Sequence, residues 1–134
     1  MTDYFTEALS EEAVGAISSL GLAHIGDAVY ELLIRTWLCR SGRATAKGLH
    51  NAAVTYVSAP AQAAAAEALL PHLSEHELAV YRRGRNTRVN SVPRGASHKQ
   101  YHAATGLETL VGYLYLRGEK TRINELFALI VEGE

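Results

Sequence analysis

Residues 22–34 read LAHIGDAVYELLI, and residues 104–116 read ATGLETLVGYLYL. Both strings are apolar with a helical period, and neither alternates every second residue as a half-buried strand does. Around the first, Leu22, Ile25, Val29, Leu32, Leu33, Thr36 and Trp37 make a stripe spaced for one helix face. It predicts a long helix over about 20–40, with Gly42 just past its end. The second predicts another long helix, about 98–117, opened by Ser97 and followed by Gly118.

Working outward, the remaining punctuation is also helical. Ser10 caps a short helix with Glu11 and Glu12 in its first turn. Thr45 opens a helix to about 58, and Ser58 caps the next, with Pro60 in its first turn, ending before Pro71. Ser74 and Glu77 form a capping box for a helix to about Arg85. Residues 86–97 read as a turn-rich loop, and Thr121 opens a last helix to about 131. The expected fold is all-α, a compact bundle of about seven helices in a single domain over residues 1–134.

The single cysteine, Cys39, excludes an internal disulfide and favours a reducing cytoplasm. The acidic N-terminus has the wrong charge for a signal peptide, and no apolar run is long enough to span a membrane. The formal net charge is only −1, yet the interval between Glu77 and Glu108 contains no acid. It holds Arg82, Arg83, Arg85, Arg88, Arg94 and Lys99, a segregation able to bind a polyanion or simply to form a solvated basic loop.

Most acids lie in helix first turns, last turns or termini, where dipoles and solvent account for them. Asp27 and Glu108 instead lie in the middle of the two long helices, in strings that look buried. Aspartate is a poor mid-helix residue, because its side chain competes for backbone hydrogen bonds. Gly26, Gly106 and Gly112 lie close to the two acids, and mid-helix glycine commonly lets another backbone approach. Two carboxylates on facing helices need compensation, and a hard dication, Mg²⁺ with Mn²⁺ as substitute, is one form of it. The residues alone also allow an Asp27 paired with an arginine or facing solvent, while Glu31 and Arg35 read as a surface pair. His98 and His102, like His72 and His76, are four apart on one helix, but neither pair has the extra ligands of a zinc site. The tyrosines 101, 113 and 115 and Trp37 read mostly as core, and no glycine loop cradles a nucleotide phosphate.

These strings together resemble the ribonuclease III family. IGDAVYE resembles the signature helix that supplies its essential aspartate, and TGLETLVGYLYL resembles the second signature, which supplies its glutamate. LAHIGDAVYE, YVSAPAQA, RRGRN at 82–86 and YHAATGLETLVGYLYL resemble most closely the compact Mini-ribonuclease III branch, over roughly residues 19–117. The resemblance implies Asp27 and Glu108 as catalytic metal ligands. It further implies a homodimer that cuts double-stranded RNA and leaves 5′-phosphate products. Precursor large-subunit (23S) ribosomal RNA is the implied substrate, with a ribosomal protein as a candidate partner. The chain departs from the larger relatives at Leu20, Ala23 and Thr105, where they carry further acids. Arg83, Arg85, Asn86, Arg88, Lys99 and His102 are the candidate RNA-binding residues, since A-form RNA is read by shape, phosphate and 2′-hydroxyl. Two other functions fit the bare pattern: an all-helical nucleotide pyrophosphohydrolase, although its usual ExxE arrangement is missing, and a non-catalytic RNA-binding or ribosome-assembly module.

Overall fold

A computed structural model describes residues 1–88, 92 and 94–133. Among them are α1 (Glu11–Gly15), α2 (Ser19–Arg40), α3 (Ala46–Val57), α4 (Ala59–Leu69), α5 (Glu75–Arg85), α6 (His98–Leu116) and α7 (Lys120–Glu132). A 3₁₀ turn at Leu70–His72 joins α4 to α5. The described residues contain no strand, in agreement with the all-α expectation.

The caps explain where the helices start. Ser10, Thr45, Ser58, Ser74 and Ser97 each accept a hydrogen bond from the backbone three residues on. Ser74 with Glu77 and Ser97 with Gln100 are reciprocal capping boxes. Gly42 and Gly118 take positive φ just past α2 and α6, a conformation that glycine adopts without steric cost. The last helix begins one residue before Thr121, with no side-chain cap.

Helix α6 is the axis of the molecule. Residues 104–107 and 109–114 are all buried, which is the pattern of a helix surrounded by others rather than one lying on a surface. Helices α2, α4, α5 and α7 pack around it, and α3 packs against α2. The sequence stripe on α2 is corrected by the packing. Its buried line is Leu22, Ala23, Gly26, Tyr30, Ile34 and Leu38, while Leu32 is 58% exposed and Thr36 faces out. Apolar residues occupy more than half of the helix circumference, so several lines satisfy the period, and packing against α6 selects among them.

Two polar networks fasten the outer elements. Arg122 on α7 donates to both carboxylate oxygens of Glu77 (2.8 and 2.9 Å) and to the His72 carbonyl (2.8 Å). Its hydrogen bonds hold the Glu77 carboxyl below the ordinary range. At the other end of the bundle, Glu11 accepts from the Tyr113 hydroxyl (2.8 Å) and from Arg117 Nε (3.0 Å). The Leu9 backbone is bonded to Leu116 and Arg117.

Candidate active site

Asp27 and Glu108 meet where α2 crosses α6, and glycine makes the crossing close. A Cβ on Gly26 would drive into the Glu108 carbonyl oxygen, and one on Gly112 into the Leu22 carbonyl oxygen. The two backbones therefore touch over one turn, from Gly26 beside Glu108 to Leu22 beside Gly112, next to the acids. A second glycine pair does the same for α5 and α6. A Cβ on Gly84 would strike Thr109, and one on Gly106 would lie 2.8 Å from the Tyr81 carbonyl oxygen.

The crossing brings the two carboxyl groups within interaction range. Burial is the main cause that pushes the Glu108 carboxyl up to about 8, and the charge of Asp27 is the next. Its protonated form is further favoured by a hydrogen bond with Asp27, and Gln62 opposes the rise. The Asp27 string looks buried in the sequence, but the residue is exposed, while Glu108 is half-buried. One carboxylate thus opens to solvent and the other sits behind it. Asp27 lines an open depression with His24, Ala28, Glu31, Leu32 and Arg35. Within it Glu31 and Arg35 form the ion pair expected from their spacing.

Gln62 is the member of the site that sequence reasoning leaves without a role. It lies on α4, is only 3% exposed, and its Nε2 donates to Glu108 Oε2 at 3.2 Å and to the Val57 carbonyl at 3.0 Å. Its Oε1 is buried without a partner. The one signal for it is a lone glutamine in the alanine-rich run APAQAAAAEAL, within the string YVSAPAQA.

The donor set fits a hard dication. Two carboxylates are oxygen ligands, and their mutual repulsion, which adds to burial in raising Glu108, is what a cation relieves. Among the described residues no group of three or more His, Cys, Asp and Glu converges. Ala23 and Thr105 are buried at two of the positions where larger relatives carry acids. Thr105 instead donates to the Tyr101 carbonyl.

The basic candidates divide. Arg83 and Arg85 belong to the last turn of α5, not to the following loop. The expected loop at 86–97 lies partly outside the described residues. Arg85 sits over the Tyr81 ring, 5.9 Å from its centroid, and its Nε donates to Asn86 Oδ1 at 3.2 Å. With Lys99, Tyr81, Pro60, Glu67 and Gln100 it lines a groove between α4, α5 and α6. Arg83, Asn86 and Arg88 are exposed. His102 is half-buried and stacks on His98 at 6.4 Å, with its Nδ1 buried and unpartnered. His72 and His76 do not share a helix, because the Leu73–Ser74 break separates the 3₁₀ turn from α5.

Comparison with known proteins gives a consistent result. The ribonuclease III domain pattern matches residues 20–119. The chain is 44% identical over 127 residues to a protein of Thermoanaerobacter sp. (strain X514) named Mini-ribonuclease 3, spanning 95% of this chain and 89% of that one. It is 46% identical over 119 residues to a Brevibacillus brevis protein of the same name, spanning 86% and 88% of the two chains. A Fusobacterium nucleatum protein of known crystal structure superposes with a TM-score of 0.81 at 27% identity, covering 88% of this chain and 94% of that chain. Together with the paired carboxylates at the α2–α6 crossing, these matches show that the chain belongs to the ribonuclease III family, in its Mini-ribonuclease 3 branch, and is a double-strand-specific endoribonuclease.

Proposed function

We propose that Asp27 and Glu108 are the catalytic metal ligands of this enzyme and that Mg²⁺, with Mn²⁺ as substitute, is the ion they hold. The observation that carries this reading is the glycine-mediated crossing, which sets two carboxylates side by side with one facing solvent. A hard dication bound there supplies charge neutralisation at the phosphate and a more acidic water. The chain's own contribution is placement. Asp27 and Glu108 ride on the two longest helices, Glu108 is held in a half-buried position, and the depression beside Asp27 leaves room for a phosphate.

Arg83, Arg85, Asn86, Arg88, Lys99 and His102 bind the duplex through its phosphates and riboses. Supporting this, Arg85 and Lys99 line one groove between α4, α5 and α6. The whole chain, residues 1–134, works as one catalytic domain. It pairs as a homodimer, so that two sites face the two antiparallel strands of one duplex. The substrate is precursor large-subunit (23S) ribosomal RNA, met in the cytoplasm, with a ribosomal protein presenting it. The support for this last reading is kinship with the Mini-ribonuclease 3 branch.

The test uses a labelled RNA hairpin with and without Mg²⁺. Asp27→Asn and Glu108→Gln are expected to bind it and not cut it. In the same assay Arg85→Ala with Arg88→Ala weakens binding and flattens its dependence on salt, by about one unit of log–log slope for each phosphate no longer neutralised. Cleavage that survives both carboxylate changes removes the pair from the chemistry, and unaltered affinity removes the arginines from the RNA face.

A further inference from the structure

The buried amide on α4 is polar, unsatisfied on one side, and hydrogen-bonded to a carboxylate of the site. Its orientation is fixed by chemistry. The Val57 carbonyl only accepts, so the group 3.0 Å from it is the nitrogen, and the second N–H is then left for Glu108 Oε2. Both donors are used, and Oε1 remains as a buried acceptor with no donor in the protein. A buried unpaired acceptor is costly, and an apolar side chain of the same length would avoid the cost. The glutamine is therefore explained by what it does at the site rather than by packing.

We propose that Gln62 is a positioning residue for the ribonuclease reaction. Its Nε2 anchors one oxygen of Glu108 to the α3–α4 junction, and its Oε1 accepts a hydrogen bond from water held at the carboxylate pair. Because the backbone anchor is the carbonyl of the last residue of α3, the site is tied to a third structural element besides α2 and α6. This inference rests on Asp27 and Glu108 being the ion's ligands, and its test separates the two.

Mn²⁺ binding is measured directly, by the loss of free-ion paramagnetic signal, for the parent, Asp27→Asn and Gln62→Leu. RNA-hairpin affinity in EDTA, kcat, KM and thermal melting accompany it. Gln62→Leu keeps the volume and removes both polar atoms; Gln62→Met serves the same purpose should the branched side chain prevent folding. The expected result is a folded protein with unchanged RNA affinity in EDTA and unchanged KM. Its Mn²⁺ affinity and kcat are each lowered roughly 10- to 100-fold, the usual effect of removing a hydrogen bond to a metal ligand. Normal binding in the parent, loss in Asp27→Asn, and parental Mn²⁺ affinity and kcat in Gln62→Leu or Gln62→Met would overturn the role of Gln62 alone. Activity that falls only with the folded fraction, at constant Mn²⁺ affinity, overturns it as well. Asp27→Asn that binds Mn²⁺ like the parent overturns the carboxylate assignment and this inference with it.

Discussion

At the scale of single residues, Glu108 carries a cost that the proposed role as a metal ligand accounts for. Without a cation its carboxyl titrates near 8 in the folded protein, against 4.5 when unconstrained. Between those values the folded state holds a proton that the unfolded state has released, so stability falls as pH climbs through the window. Glu108→Gln removes the titration. In EDTA at pH 8 it is expected to be more stable than the parent by on the order of 4 kcal/mol, with the difference vanishing toward pH 4.5. Adding Mn²⁺ should then raise the melting temperature of the parent and leave the variant unmoved. Equal stability of the two proteins at pH 8 in EDTA would show that Glu108 bears no such cost. Much of this residue-level picture is legible in the sequence. A mid-helix aspartate, a poor helix former, and a glutamate in another apolar string, each with glycine nearby, point to a site, although the residues alone also allow an ion-paired or solvated Asp27. Gln62 is not legible, because its importance lies in a hydrogen bond to a residue 46 positions away along the chain and in an acceptor left without a donor.

At the scale of elements, the crossing of α2 and α6 decides the site. Gly112→Ala places a methyl group against the Leu22 carbonyl, which is backbone and has no rotamer to yield. The expected cost is about 2–3 kcal/mol, read from chemical denaturation, with cleavage abolished because the helices part. Gly15→Ala is the control, since nothing lies within 4 Å of the added atom and alanine is the better helix former. A denaturation midpoint for Gly112→Ala equal to the parent's would contradict the close crossing. Helix starts are legible because Ser10, Thr45, Ser58, Ser74 and Ser97 act through the next three residues, a purely local interaction. The inward face of α2 is not. Leu32 and Ile34 are equally apolar in sequence, and only the position of α6 leaves the first exposed and the second wholly buried.

At the scale of the whole molecule, the exposed Leu32 lines the depression at Asp27. It is 58% exposed and also lines a hollow with Phe5, Val29, Leu33 and Tyr115. If two copies pair through the face around Leu32, sedimentation at micromolar concentration gives twice the 14.5 kDa chain mass, and Leu32→Glu shifts the mass to one chain and abolishes paired cuts in a duplex. A single-chain mass for the parent would remove the dimer. The peptide-on-peptide approach at Gly26 and Gly112 also bears on how such a protein tolerates change over generations. Main-chain atoms act there as a caliper whose opening is set as long as residues 26 and 112 stay glycine, so the surrounding leucines and valines can drift and repack at constant volume while the jaws stay at one width.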